Sequence, residues 1–342
     1  MNRKYQAILL VFILFTFLGG CKMMENTDIT EEIARLHVSD GMLNTENNEI
    51  ITLRGMSTHG LGWFPRYINS SALATLKENG ANVIRLAMYS DTNDGYLEEP
   101  YNLDFVYIGI ENAIANDMYV IVDWHILDDY NPLMHQDEAI AFFEEISGYY
   151  KDTPNVIYEI CNEPNGDTTW EDVYAYAMEV IPAIRENAPD SVILVGSPSY
   201  STAIYEAMEH PLPFENLMYS YHKYVDVSQN EPPEMYWLEK AVEEKFPVFV
   251  TEWGIAYKEE SYLNSQQSYD DTMELQMEPA YIFLNFLEDN NISWCGWALS
   301  NSDEIHAAIR KDCSKLSGWS EDDLTQGGKL MFSYFKDKGA RQ

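Results

Sequence analysis

Val83-Ile84-Arg85-Leu86-Ala87-Met88, the segment Leu103 to Asn116, and Tyr119-Val120-Ile121-Val122-Asp123-Trp124-His125 form the stretch on which the reading of this chain turns. The outer two runs are short, β-branched and almost continuously apolar, the pattern of strands covered on both faces. Between them Leu103, Val106, Ile110, Ala113 and Ile114 recur at helical spacing. Strand, helix and strand therefore follow one another within about forty residues, as a parallel sheet requires.

The same alternation extends in both directions. Upstream, Ile50 to Arg54 reads as a strand and Ser70 to Asn79 as a helix, with Ser70 or Ser71 available as its cap and Gly80 as its stop. Downstream come a helix from Asp137 to Tyr150, a strand from Val156 to Ile160, and a helix from Trp170 to Asn187 expected to kink or break at Pro182. Val192 to Gly196, Leu217 to His222, Val248 to Trp253 and Ser293 to Leu299 supply further strands. The intervening helices are Ser201 to Glu209, Glu234 to Lys245 and Asp270 to Asp289, and a last helix runs from Thr325 to Lys336. Eight strand and helix pairs in roughly 250 to 300 residues predict an α/β fold closed into a (β/α)8 TIM barrel. A doubly wound open sheet is the rival, but Gly55-Met56-Ser57-Thr58-His59-Gly60 lacks the GxGxxG spacing of its phosphate loop. No composition shift, linker or repeat marks an appended module, so residues 39–342 read as one catalytic domain.

Residues 1–20 stand apart. Arg3 and Lys4 precede an apolar run from Ala7 to Phe17, the layout of a signal peptide. The run ends in Leu18-Gly19-Gly20-Cys21, which resembles the lipobox of bacterial lipoproteins. Cys21 is then the lipidated first residue after cleavage, residues 21–38 are a polar tether, and the expected location is the bacterial cell envelope, facing periplasm or exterior. Of the remaining cysteines, Cys161, Cys295 and Cys313 show no CxxC spacing. Cys295 and Cys313 could pair in an oxidising compartment; the alternative is that all three are small buried hydrophobes.

The 342 residues, 46% hydrophobic and 13% aromatic, can bury a large core without metals or disulfides. A formal net charge of −35 argues against nucleic acid or an anionic membrane as partner and is compatible with a neutral polymer. Contact with a membrane is expected only through the lipid, and the chain is expected to be a monomer.

Barrels place their chemistry at the C-terminal ends of their strands. His59, Arg85, Tyr89, Asp123-Trp124-His125, Asn162-Glu163-Pro164, His222, Tyr224, Glu252-Trp253-Gly254 and Trp297 all fall there. Arg85 inside an apolar strand needs a carboxylate, either Glu252 or another strand-end acid. There is no nucleophile elbow, HExxH or phosphate loop, so Glu163 and Glu252 remain as the reactive pair. Two carboxyl groups across a barrel mouth suit retaining hydrolysis of a glycosidic bond, with no cofactor and no metal. Trp63, Trp124, Trp170, Trp253 and Trp297 are candidate platforms for sugar faces.

These residues resemble glycoside hydrolase family five, especially its bacterial endo-β-1,4-glucanases. The likeness runs from Leu53-Arg54-Gly55-Met56-Ser57-Thr58-His59-Gly60-Leu61 through Val83 to Tyr89, Val122 to Leu127 and Val156 to Gly166. It continues through Tyr219-Ser220-Tyr221-His222, Pro247 to Gly254 and Trp294 to Ser300. The resemblance implies that Glu163 is the acid/base, Glu252 the nucleophile, and Asn162 a partner of the sugar 2-hydroxyl. It also implies that Arg85 and Tyr224 hold the nucleophile, that His125 and His222 line the reacting subsite, and that His59, Trp63, Tyr89 and Trp297 bind neighbouring glucose units of a β-glucan. Relatives of this type often carry a lysine in Trp-x-Leu-Ser-Asp-Lys after the last strand. Here the stretch reads Trp297-Ala298-Leu299-Ser300-Asn301-Ser302, and Ser302 supplies no cation. Xyloglucan, mixed-linkage glucan and mannan are the alternative substrates on the same fold. A non-catalytic glycan-binding barrel is the reading outside enzymes.

Overall fold

The computed structural model describes residues 33–90, 94–259, 262–264, 267–270 and 272–339. The signal segment, Cys21 and the tether as far as residue 32 lie outside the described residues. Eight parallel strands close on themselves in sequence order: β3 (Arg54–Thr58), β4 (Val83–Tyr89), β5 (Tyr119–His125), β6 (Val156–Glu159), β7 (Ile193–Val195), β8 (Leu217–Asp226), β9 (Val248–Glu259) and β11 (Trp294–Leu299). The pairing of β8 with β9 completes the ring. The helices that return the chain are α1 (Ser70–Glu78), α2 (Leu103–Ile114), α3 (Gln136–Tyr149), α4 (Trp170–Asn187), α5 (Pro198–Ser201), α6 (Ile204–Glu209), α7 (Tyr236–Glu244), α8 (Glu278–Asp289) and α9 (Gln326–Gly339). This is the expected (β/α)8 barrel.

Period-two alternation sorts each strand into an inner and an outer face. On β5, Val120, Val122 and Trp124 join the layer packed under the helices, while Tyr119 and Ile121 point into the barrel with Asp123 and His125 above them. The lower interior is filled by Val83, Ile157, Leu194, Met218, Phe249 and Cys295. Beneath them an antiparallel hairpin, β1 (Leu36–Ser39) and β2 (Met42–Thr45), adds Leu36 and Leu43 to the same cluster. Asp40 and Gly41 both have positive φ, as a two-residue hairpin turn demands. Leu36 to Val38, counted with the tether in the sequence, are thus part of this β1 strand.

Several boundaries differ from expectation for local reasons. The first barrel strand is Arg54–Thr58, four residues later than Ile50 to Arg54, because Ile51 turns back to bond Leu43 across the hairpin. Asn69, rather than either serine, caps α1 by accepting from the Ala72 amide, and Gly80 at φ 98 ends the helix region as expected. α4 runs through Pro182 without a break; its start is secured by a capping box of Thr169 and Asp172. α8 begins at Glu278 with Pro279 in its first turn, not at Asp270. β8 and β9 outrun the barrel rim, pairing as far as Asp226 and Ala256, and β9 turns back on β10 (Tyr262–Asn264).

Cys161, Cys295 and Cys313 are all free thiols. Cys295 is sealed inside the barrel, whereas Cys313 is half-buried beside Asp323, so the pairing considered from sequence does not form.

Candidate active site

Arg85 is fully buried at the centre of the upper barrel, and every nitrogen of its guanidinium is engaged. Nε donates to Glu159 at 2.7 Å. One terminal nitrogen donates to Ser57 and to Glu252, both at 3.2 Å. The other donates to the Asn162 side-chain oxygen at 2.6 Å and ion-pairs with Asp123 at 3.0 Å. Arg85 thus meets Glu252 and two further strand acids together. Asp123 is one of the strand-end acids the sequence offered to Arg85, whereas Glu159 was given no role there; a charged residue within the buried run Val156 to Ile160 was the available signal.

Asn162 has its oxygen on Arg85, so its amide nitrogen faces His125 Nε2 at 3.2 Å and the Ile126 carbonyl at 3.1 Å. That donation makes His125 Nε2 an acceptor and puts the ring proton on Nδ1, which meets Asp123 at 2.6 Å. Burial holds His125 well below its usual range, consistent with a neutral ring, and pushes Asp123 up to about 7 against the pull of Arg85. Asn162 lies beneath the cleft wall, committed to His125 and Ile126, rather than presenting a free amide to a sugar.

Glu252 owes its orientation to an irregularity of β9. From Val250 to Trp253 the strand advances three residues while both neighbours advance two. This bulge cancels one alternation. Trp253 therefore joins Val250 on the helix side, and Glu252 turns into the barrel mouth. Its two oxygens accept from Tyr224 at 2.7 Å and Arg85 at 3.2 Å, an environment made for an anion. Glu163, following β6, meets His222 Nδ1 at 2.7 Å, and His222 Nε2 reaches the Thr251 hydroxyl at 3.0 Å. Burial lowers His222 to about 4 and raises Glu163 to about 8, with Asp123 and Glu159 adding to the rise and Arg85 opposing it. Oxygens of Glu163 and Glu252 and a ring nitrogen of His222 all lie within 4.8 Å of one another. This is the trio among the described residues whose ligand atoms could meet one cation. With Glu163 already bonded to His222 and Arg85 against Glu252, the arrangement suits a held proton better.

These groups open into a cleft of about 480 Å³ lined by His59, Tyr89, His125, Glu163, Tyr224, Glu252 and Trp297, to which Tyr200, Glu304 and His306 also contribute. Trp297 stacks on His125 at 5.3 Å and 16°. Trp63 stands one ring back, edge-on to Tyr89 at 4.6 Å. Gly60 permits that approach, since a Cβ there would fall 2.2 Å from the Trp63 ring. Trp124, Trp170 and Trp253 are buried in the layer beneath the helices and are not platforms, a correction that alternation explains for Trp124 and the bulge for Trp253. Ser302 does not reach the cleft as a lysine would. It donates to Glu304 at 2.5 Å, and His59, its Nδ1 taken by the Gly60 amide, offers Nε2 to the same carboxylate at 3.3 Å. Burial alone would raise Glu304, but the hydrogen bonds from His59 and Ser302 and the field of His306 hold it at about 2. Tyr200, Glu304 and His306 carried no signal in strand-end reading because they lie beyond the strands, Tyr200 within α5 and the other two after β11.

A pair of facing carboxyl groups in an aromatic-walled cleft on the C-terminal rim of a parallel barrel is the architecture of a glycoside hydrolase. The profile of the cellulase family, glycosyl hydrolase family 5, matches residues 43–303. Endoglucanase A of Butyrivibrio fibrisolvens is 41% identical over 297 residues, 85% of this chain and 66% of that one. An endoglucanase of Clostridium saccharobutylicum is 36% identical over 330 residues, 95% of this chain and 70% of that one. The chain therefore spans about two-thirds of the length of these relatives. The catalytic domain of a Thermobifida fusca endoglucanase superposes with a TM-score of 0.78 at 33% identity, covering 90% of this chain and 98% of that domain. The chain belongs to glycosyl hydrolase family 5.

Arg85→Lys keeps one buried positive charge but loses the planar fork that serves Glu159, Glu252 and Asn162 together. It is expected to lower kcat by about 10²-fold or more while leaving the far-UV circular dichroism unchanged. Near-normal kcat in this variant would mean that the guanidinium is not what orients the site.

Proposed function

We propose that the protein is an endo-acting, retaining β-1,4-glucanase that cleaves internal bonds of cellulose or related β-glucans by double displacement. The observation that carries this reading is the separation of Glu163 and Glu252, with an oxygen of each within 4.8 Å of the other. Retaining enzymes hold their carboxyl groups about 5 to 5.5 Å apart, whereas inverting ones leave roughly 6.5 to 9.5 Å for a water. The names of the relatives and the open, aromatic-lined cleft support the substrate.

In the first step Glu163, neutral because burial raises it, protonates the glycosidic oxygen. Glu252, held between Tyr224 and Arg85, attacks the anomeric carbon from the other side and forms a covalent glycosyl ester. Glu163, now a carboxylate, then takes a proton from water as that water attacks the ester, and the original configuration returns. His222 keeps Glu163 aimed throughout, and the neutral His125 and Trp297 present a flat wall to the sugar.

We also infer that Cys21 carries a lipid that anchors the domain to the cell envelope. The basic start, apolar run and terminal cysteine of residues 1–21 support that reading. Cys21→Ser is expected to move the full-length protein from the detergent phase to the aqueous phase in phase partition, and equal partition of both forms would contradict the anchor.

Glu163→Ala and Glu252→Ala are each expected to reduce turnover of carboxymethyl cellulose at least about 10³-fold. On an aryl β-cellobioside whose phenolate leaves without protonation, azide should restore turnover to both, giving a glycosyl azide of α configuration from Glu252→Ala and of β configuration from Glu163→Ala. Near-normal turnover in Glu252→Ala would remove it as nucleophile. Because the raised group must be protonated, kcat/KM should be sustained below about pH 8 and fall as pH rises through it; an alkaline limb unchanged in Glu163→Ala would refute this origin. Reducing sugar should be released from carboxymethyl cellulose and mixed-linkage glucan far faster than from mannan, and preference for mannan would overturn the substrate assignment.

A further inference from the structure

Three aromatic residues outside the catalytic cleft share the face on which it opens. Tyr205 is the second residue of α6, and Tyr236 and Trp237 are the first two of α7. These helices follow β7 and β8, so the ends that carry the rings lie at the C-terminal rim. Tyr205 and Trp237 stack at 4.9 Å and 29°, and Tyr236 stands edge-on to Trp237 at 4.9 Å and 76°. Tyr236 is 50% and Trp237 38% exposed, a contiguous aromatic surface left to water where nothing in the barrel core requires it.

The patch is continuous with the cleft along the chain. Tyr200 is 51% exposed in the cleft lining, five residues before Tyr205. Ser199, Tyr200 and Ser201 all have positive φ, a sparsely populated conformation for non-glycine residues that is typical of functional loops. A second groove, of about 440 Å³, begins at Tyr224 and reaches Glu234, two residues before Tyr236. Lys223, Asp226, Gln229 and Lys258 give it both donors and acceptors, the mixed lining that sugar hydroxyls use. His59, Tyr89, Trp297 and Glu304 occupy the other wall, formed by β3, β4, β11 and their loops. The patch therefore lies across the barrel mouth from that wall, on the arc between β6 and β9 that carries Glu163 and Glu252 at its two ends.

We propose that Tyr205, Tyr236 and Trp237 form a second glucan-binding platform that holds a polymer chain beyond the catalytic cleft, on the side away from His59, Tyr89 and Trp297. The inference rests on the β-glucanase reading above. Flat aromatic faces match the axial C–H faces of β-linked glucose. The surrounding carboxylates, among them Glu231, Glu234 and Glu239, disfavour an anionic lipid surface and are indifferent to a neutral polysaccharide. Three rings are also far short of the area, about 1,000 Å² or more, that a stable protein interface buries.

The test is affinity electrophoresis of the full chain in native gels containing mixed-linkage β-glucan, in a Glu252→Gln background that preserves the polymer. Combining Tyr236→Ala with Trp237→Ala should weaken retardation about three- to ten-fold. Trp237→Phe should retain most of it. Tyr149→Ala serves as control, since Tyr149 is 69% exposed at the far end of α3, on the opposite barrel face. Folding is read separately by hydrolysis of cellotetraose in the Glu252 form, expected to be unchanged in the double variant; if it falls, Tyr236→Ala alone decides by the same gel. Unchanged retardation with intact hydrolysis overturns the platform alone, as does an equal loss in Tyr149→Ala. Failure of the unsubstituted chain to hydrolyse any β-glucan overturns the functional reading and this inference with it.

Discussion

The guanidinium of Arg85 is the constraint around which the upper barrel is arranged. It takes Ser57 from β3, Asp123 from β5, Glu159 and Asn162 from β6 and the segment after it, and Glu252 from β9. A buried cation is tolerable only when its donors are satisfied, and removing one partner of such a pair commonly costs about 3 to 5 kcal/mol. The same network creates an excess of negative charge, because Asp123, Glu159, Glu163 and Glu252 gather near a single cation. Burial of that excess is relieved where a proton can be kept, and Asp123 and Glu163 are the groups pushed upward, to about 7 and about 8. Glu252 instead accepts hydrogen bonds from both the guanidinium and the Tyr224 hydroxyl, at 3.2 and 2.7 Å. One arginine thus divides two similar carboxyl groups into a donor of protons and a bearer of charge.

How much of this the sequence disclosed follows from the range of the forces involved. Period-two and period-3.6 patterns are local, so the eight strands, the helices between them and the candidate acids at strand ends were legible. Capping by Asn69 was missed because the adjacent serines offered the same chemistry, and the start of α8 because Met273, Leu275 and Met277 pack on the core ahead of the helix without belonging to it. The bulge in β9 was not legible at all. It reverses the facing of Trp253 and Glu252, and nothing in Val250-Thr251-Glu252-Trp253 marks the extra residue. Trp124 was a different case: its neighbours Asp123 and His125 point inward, so strict alternation already places it under the helices. Glu159, the last residue of β6, was hidden by the apolar run around it, and its partners come from elements far away in sequence.

The loop residues show the limit of reading chemistry from strand ends. Ser302, judged by what it lacks, turns out to support Glu304, and Glu304 in turn ties His59 to the last barrel loop. The wall built by β3, β4 and β11 is therefore acidic and imidazole-rich where a lysine was the usual expectation. The other wall is open, with Tyr200 in its lining. This asymmetry matters for a polymer that must be held on both sides of the bond being broken, because transition-state stabilisation draws on contacts remote from the reacting atoms.

The central claim is double displacement by Glu163 and Glu252 across a gap too short for an inverting water. Its most direct test is the configuration of the first-formed product, followed by proton NMR of the anomeric signals during the opening minutes of cello-oligosaccharide hydrolysis. The account predicts that the β anomer appears first and the α anomer only later by mutarotation. Initial accumulation of the α anomer would contradict it.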